Sequence, residues 1–278
     1  MLKNDVKEYW EDKQPSIWIS SKEGCAYFNE IAYYQYFVHN DGIYPYQLLE
    51  FCFHTDEMVL EVGCGAGLDL AQYAKHNSKV YGIDLTEGAI KLAKKHFETL
   101  NLKYEELKTA DGENIPYTDD MFDLVMSNGV LHHTEDIDKA LMEVKRVLKP
   151  EGKFIIMLYA KGLISYYFRK IFIHGILKGN IFKYSFKEAI NKASEVKGDC
   201  PICNHYTKRE LKTMFKEFDS VVITRHRMGW HHEGKVPRVI QNICDLFCLE
   251  KLVGCNWYIK GYKNRGRKNP KLLKVLFQ

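Results

Sequence analysis

No stretch of the 278-residue sequence approaches the roughly 20 consecutive apolar residues that a membrane-spanning helix needs, which excludes a helical membrane span. The opening segment Met1–Trp10, MLKNDVKEYW, has none of the apolar centre of a secretion signal, so a cytoplasmic protein is expected. Internal repeats and low-complexity tracts are missing as well. A large charge excess is also absent. Forty Lys and Arg stand against 36 Asp and Glu, for a net charge of +4. That permits an anionic partner but gives no reason to expect nucleic acid. The eight cysteines (Cys25, Cys52, Cys64, Cys200, Cys203, Cys244, Cys248 and Cys255) are scattered rather than arranged as a framework. In a cytosolic chain, reduced and mostly buried thiols are expected, not disulfides.

What is present is an ordinary globular composition, 46% hydrophobic and 27% charged, in a chain long enough for one domain with embellishments. The centre alternates short apolar runs with amphipathic stretches. Strands are expected at Met58–Val62, Lys79–Asp84, Tyr104–Ala110, Phe122–Ser127 and Lys153–Leu158. Between them, Leu68–His76 reads as a helix. Thr86 reads as the cap of another, whose buried face is Ile90, Ala93, Phe97 and Leu100. Asp136 caps a third, with Ile137, Leu141, Val144 and Leu148 inward, and Pro150 and Gly152 stop it. This alternation implies an α/β fold whose mostly parallel sheet is covered on both faces. Lys208–Phe215 reads as a helix, Val221–Arg225 and Trp257–Tyr262 as two closing strands, and Val236–Cys248 as a helix between them.

The chain therefore divides into an aromatic-rich N-terminal lid (1–57), a core (58–160), an aromatic and basic lid insertion (161–206), a C-terminal helix with closing strands (207–263), and a basic tail (264–278). The lids either clamp a bulky, flat or apolar ligand or bury themselves as a cap. The tail reads as a solvated surface.

The most informative stretch is Leu60-Glu-Val-Gly-Cys-Gly-Ala-Gly67. Gly63, Gly65 and Gly67 stand between a strand and a helix, where the absence of a Cβ permits a tight turn and close approach of a ligand. The helix that follows offers unpaired N–H groups. Asp84 ends the next strand, 21 residues beyond Gly63. In Rossmann-type sites an acid at that distance accepts hydrogen bonds from ribose hydroxyls. The dinucleotide fingerprint G-x-G-x-x-G/A fits poorly, because its last position falls on Leu68.

The G-x-G-x-G spacing behind Glu61 resembles motif I of class I S-adenosylmethionine-dependent methyltransferases. The likeness continues through VYGID at Asp84, through Ala110-Asp-Gly-Glu-Asn-Ile-Pro116, through Phe122-Asp-Leu-Val-Met-Ser-Asn-Gly-Val-Leu-His-His133, and through Val147-Leu-Lys-Pro-Glu-Gly152, where Glu151 replaces a glycine of the family. It covers about residues 56–160 and is strongest toward the small-molecule branch typified by ubiquinone and menaquinone C-methyltransferases.

The resemblance implies a Rossmann-like three-layer sandwich around a seven-stranded, mostly parallel sheet with an antiparallel last strand. It implies S-adenosylmethionine as cofactor, leaving S-adenosylhomocysteine. Gly63, Gly65 and Gly67 would pass beneath the cofactor, and Glu61 would organise the loop at its amino-acid end. Asp84 would hold the ribose and Leu85 would pack on the adenine. Asp111 would accept from the adenine amino group beside the Gly112 N–H, and Asn128 would sit by the methionine moiety. The acceptor is a small molecule, with carbon, nitrogen and oxygen all open. A cofactor-binding regulatory or scaffold protein is the rival reading, and an NAD-dependent oxidoreductase a weaker one.

His132, then His133, are the candidate bases, because an imidazole just past the fourth strand can take a proton from an acceptor that must lose one. Cys200-Pro-Ile-Cys203 with His205 could suggest zinc, but a structural site needs four ligands, and the further candidates His226, His231 and His232 are irregularly spaced. Loop cysteines, and no metal, are the expectation.

Overall fold

The computed structural model describes residues 2–17, 28, 44–194, 200–226 and 254–264. Two helices, α1 (Leu2–Ile17) and α2 (Tyr44–Leu49), precede the central alternation. There β1 (Met58–Val62), α3 (Leu68–Lys75), β2 (Lys79–Asp84), α4 (Glu87–Thr99), β3 (Glu106–Thr109), β4 (Phe122–Asn128), α5 (Ile137–Val147) and β5 (Leu148–Tyr159) follow one another. A π-type helix, α6 (Leu163–Leu177), then leads to α7 (Phe186–Lys192), α8 (Lys208–Met214), β6 (Asp219–His226) and β7 (Asn256–Tyr262).

The sheet has seven strands in the order β3-β2-β1-β4-β5-β7-β6. The first five run parallel, and β7 lies antiparallel between β5 and β6. This is the α/β architecture expected from the sequence. β1 and β4 are neighbours although the chain leaves β1 toward β2, so the strand order reverses between them. In open α/β sheets a crevice forms there, at the carboxyl ends of the strands, and ligands bind in it.

Two apolar layers sandwich the sheet. Leu60, Val125, Phe154 and Ile156 face one, with Leu141 and Val144 of α5 against them. Val59, Val80, Leu124 and Ile155 face the other, with Leu70 of α3 and Ala93 and Phe97 of α4. Both expected caps form. Thr86 Oγ1 accepts from the Ala89 N–H, and Asp136 Oδ1 from the Lys139 N–H.

The strand boundary before Pro150 differs from the sequence expectation. α5 closes at Val147, and β5 already runs from Leu148, whose partner is Phe122. The early start follows from pairing with β4, which local periodicity does not register. The helix expected over 236–248 lies outside the described residues, as do 18–27 and 29–43 of the N-terminal lid and nearly all of the tail. Among the described residues no helix is long and apolar enough to cross a membrane.

Candidate cofactor and acceptor site

The nine residues assigned to the cofactor lie at the carboxyl ends of β1, β2 and β4 and in the loops that follow β1, β2 and β3. Gly63, Gly65 and Gly67 all have left-handed backbones, with φ of +78°, +51° and +69°. Their reasons differ. A Cβ on Gly63 would lie 2.4 Å from the Val130 methyls, so this glycine lets the turn after β4 close over β1. Among the described residues, a Cβ on Gly65 would meet nothing within 4 Å. The loop is thus open above Gly65, which is the geometry of a cradle for a ligand.

Asp84 stands at the end of β2, nearly buried. It accepts from the Thr86 N–H at 2.9 Å, the Thr86 hydroxyl at 2.8 Å and the Gly65 N–H at 3.0 Å. Burial raises its pKa, and these three donors work against that rise. The carboxylate therefore ties the glycine loop to the start of α4. The loop has a second tie in His96, whose ring Nδ1 lies 2.9 Å from the Ala66 carbonyl. Since a carbonyl only accepts, that nitrogen carries the proton.

Glu61 is buried in β1, and its Oε2 has no hydrogen-bond partner among the described residues. Burial pushes its pKa well above the ordinary carboxylate range, and the nearby charges of Asp69 and Asp84 push it further. Asp69 in turn accepts from the Asn128 side-chain amide at 2.8 Å, while Asn128 Oδ1 has no partner among the described residues. Three carboxylates around one glycine loop, with unpaired acceptor atoms among them, favour a ligand that brings positive charge and N–H donors.

Asp111 Oδ1 accepts from the Glu113 N–H at 2.9 Å. Its Oδ2 lies 2.6 Å from the Lys3 ammonium, which also pairs with Glu113 at 2.6 Å. Gly112 packs close to Val62, and Leu85 is half-buried. The sequence does not reveal the contribution of α1, which crosses this edge of the sheet. Besides Lys3, its Glu11 accepts from the Gly88 N–H at the start of α4, and its Trp10 ring lies 5.0 Å from that of His133. Nothing in the local pattern of residues 2–17 signals these partners, which lie far along the chain.

On the other side of the crevice, Leu131–His133 form a single helical turn after β4. His132 and His133 are both buried, their ring centroids 4.1 Å apart, and His132 lies 3.8 Å from the Tyr159 ring. Burial lowers the His132 pKa well below the usual imidazole value, and His133, His205 and Lys170 add to the effect. Cys200 and Cys203, expected as loop cysteines, pack here. Cys200 Sγ is 3.4 Å from His133 Nδ1. His205 faces Lys170, Nζ to Nε2 2.5 Å. His226 is on β6 against Tyr258, and His231 and His232 lie outside the described residues.

Comparison with known proteins bears on the family and the fold. Residues 60–156 match a family model described as a methyltransferase domain. The chain is 31% identical over 183 residues to the demethylmenaquinone methyltransferase of Oceanobacillus iheyensis, covering 62% of this chain and 74% of that protein. It is 28% identical over 103 residues to the uncharacterized methyltransferase YcgJ of Bacillus subtilis, covering 37% of this chain but only 41% of YcgJ. Among solved structures, a phosphoethanolamine N-methyltransferase from Haemonchus contortus in complex with S-adenosylmethionine superposes with a TM-score of 0.61 at 15% identity, covering 94% of this chain and 60% of that one. At that identity the likeness speaks for the fold alone.

Proposed function

Because this chain belongs to the class I S-adenosylmethionine-dependent methyltransferases, we propose that it transfers the cofactor's methyl group to a small, apolar, ring-bearing acceptor of the quinone-precursor kind. The observation that carries this reading is the open cradle above Gly65, walled by Glu61, Asp69 and Asp84. The cofactor supplies a methyl group already activated by its sulfonium. The protein's part is to bind, orient and exclude water.

In this reading the unpaired Glu61 and Asn128 oxygens take the N–H donors of the amino-acid end. Asp84 turns toward the ribose hydroxyls, and the Gly65 N–H it already holds keeps the loop in place beneath. Leu85 supports the adenine, and Asp111 with the Gly112 N–H reads its edge. Lys3 competes for the same Asp111 oxygen, so α1 shifts or shares that carboxylate when the cofactor enters. The relatives named as demethylmenaquinone methyltransferases and the aromatic wall of Trp10, His132 and Tyr159 support an apolar ring as acceptor.

Calorimetric titration with S-adenosylhomocysteine and with NAD is the test of the cofactor. Binding of NAD alone would end the reading. Incubation of labelled S-adenosylmethionine with fractionated metabolite extract then tests turnover. Tight binding with no label transferred would favour a regulatory binding protein instead.

A further inference from the structure

The second wall of the crevice holds a group of side chains that methyl transfer does not require. Cys203 comes from a loop whose following residues, Asn204 and Tyr206, are fixed to the turn after β4 and to the end of β5. The Asn204 N–H donates to the His132 carbonyl at 2.9 Å, the Tyr206 N–H to Tyr159 and the Lys161 N–H to Tyr206. Those bonds bring the Cys203 thiol to His132 and His133. One ligand atom from each of the three lies within 4.8 Å of the others, and all three residues are buried. His132 contributes the independent sign. It is fully buried, yet neither of its ring nitrogens has a hydrogen-bond partner among the described residues. A buried imidazole with no partner is costly unless something is bound to it. His133 Nδ1 lies 2.6 Å from the Ile202 carbonyl, so it carries the proton and Nε2 holds the lone pair. A ring N–H donated to a backbone carbonyl is the usual support of a metal-ligating histidine.

We propose that His132, His133 and Cys203 hold a zinc ion. One thiolate and two neutral imidazoles suit zinc among the common divalent ions. Three protein ligands leave one tetrahedral position, as in catalytic rather than structural sites. Cys200 lies on the Nδ1 side of His133 and donates to the Ile202 carbonyl, so it supports the loop rather than completing the set. With one thiolate the centre keeps a positive charge, and the Lys170 ammonium lies near. The open position therefore favours an anionic oxygen or sulfur. A ligating imidazole has no lone pair to accept a proton, so this assignment replaces the base role expected for His132. It stands independently of the methyl-transfer reading.

The full chain, loaded with zinc and dialysed, is expected to retain one equivalent by elemental analysis. His132→Ala and Cys203→Ser should each retain less than about a tenth of that. Cys52→Ser, at an exposed position outside the group, should retain it all. Cobalt loading gives a second readout, a thiolate-to-cobalt charge-transfer band that Cys203→Ser abolishes. S-adenosylhomocysteine titration of each variant shows that the fold and the cofactor wall persist. No zinc on the wild-type chain, or full zinc on Cys203→Ser, overturns the assignment.

A different observation carries a second inference. Among the described residues, seven of the nine large exposed apolar side chains lie between 167 and 186, Phe53 and Met142 standing apart. Leu177, Phe182 and Phe186 are 66%, 80% and 55% exposed, and the exposed Lys178, Lys183 and Lys187 are interleaved with them. Aromatic and aliphatic tips among lysines are the pattern of a surface that seats at the headgroup level of an anionic bilayer. We infer that α6–α7 docks on such a surface. Vesicles of phosphatidylcholine with phosphatidylglycerol should co-sediment the protein, and vesicles of phosphatidylcholine alone should hold much less. The double variant Leu177→Asp, Phe182→Asp should lose binding by at least about tenfold with its circular dichroism unchanged. No binding to the anionic vesicles, or equal binding by the double variant, overturns the inference.

Discussion

The two walls of the crevice are built from opposite chemistries. The wall of β1, β2 and β3 presents carboxylates (Glu61, Asp69, Asp84 and Asp111) held by backbone N–H groups and by Lys3. The wall beyond β4 presents imidazoles, thiols and a buried ammonium, namely His132, His133, Cys203, His205 and Lys170. The first wall is shaped for a cation rich in donors. The second suits an apolar or anionic group brought next to it.

The largest test separates glycines that serve the fold from those that serve the ligand. Gly63→Ala adds a methyl 2.4 Å from Val130 at a φ of +78°. Overpacking and left-handed strain together should cost about 4 kcal/mol in denaturant unfolding. Gly65→Ala has the same kind of backbone but open space around it. It should lose only about 1 kcal/mol of stability. Its cofactor affinity should fall about 30-fold, from about 2 kcal/mol of steric cost in the cradle. Equal effects of the two substitutions on unfolding would erase the distinction.

Next in size is the pH dependence of the carboxylate wall. His96 supports the Ala66 carbonyl as a neutral ring. Burial lowers its pKa to about 4, despite the opposing bond from Ala66. Unfolded, a histidine titrates near 6.5. Between those values the unfolded chain binds the extra proton, so this contribution is full above pH 6.5 and is lost as pH falls toward 4. A loss of about 3 kcal/mol across that window is expected, measured as unfolding free energy against pH. His96→Asn should flatten that part of the profile.

Glu61 makes a smaller test of the same wall. Its pKa is raised by burial and by Asp69 and Asp84, and a cationic ligand would lower it again. Cofactor binding should therefore release protons above the ordinary carboxylate range, and affinity should rise with pH there. Calorimetry in buffers of different ionisation enthalpy reads this directly. Glu61→Gln should abolish the proton release and weaken binding about tenfold, near 1.4 kcal/mol.

The walls also differ in how much of each is legible in the sequence. The carboxylate wall follows the chain: a glycine turn, an acid at the end of the next strand, and Asp111 after the third. Each sits at a strand end that apolar periodicity locates, so the cofactor half can be read with near-correct boundaries. The second wall is assembled across the fold. His133 meets Cys200 across 67 positions and Lys170 meets His205 across 35. Periodicity reports which face of an element is buried, not which distant loop covers it. Read alone, Cys200-Pro-Ile-Cys203 and His132-His133 are two ordinary fragments, and it is the bridge between Ala160 and Tyr206, with the bond from the Asn204 N–H to the His132 carbonyl, that brings them together. Lys3 was invisible for the same reason, since its partners lie 108 and 110 positions on.

The smallest effect concerns a position where the sequence departs from its family and the backbone does not. Glu151 stands where the resembling turn has glycine, and its φ is +63°, in the left-handed region. Its N–H still donates to the Lys263 carbonyl at 2.8 Å, so the turn is held although its side chain disfavours it. A non-glycine residue there stores about 1–2 kcal/mol of strain. Glycine would relieve it, while giving some of the gain back as unfolded-chain entropy. Glu151→Gly should therefore stabilise the protein by about 1 kcal/mol. The site lies at the start of β5, at the edge of the sheet opposite the crevice, so cofactor affinity should stay unchanged. A gain in stability accompanied by altered affinity would show that strain at this far edge reaches the cofactor wall, and that the walls are not independent of the sheet's other end.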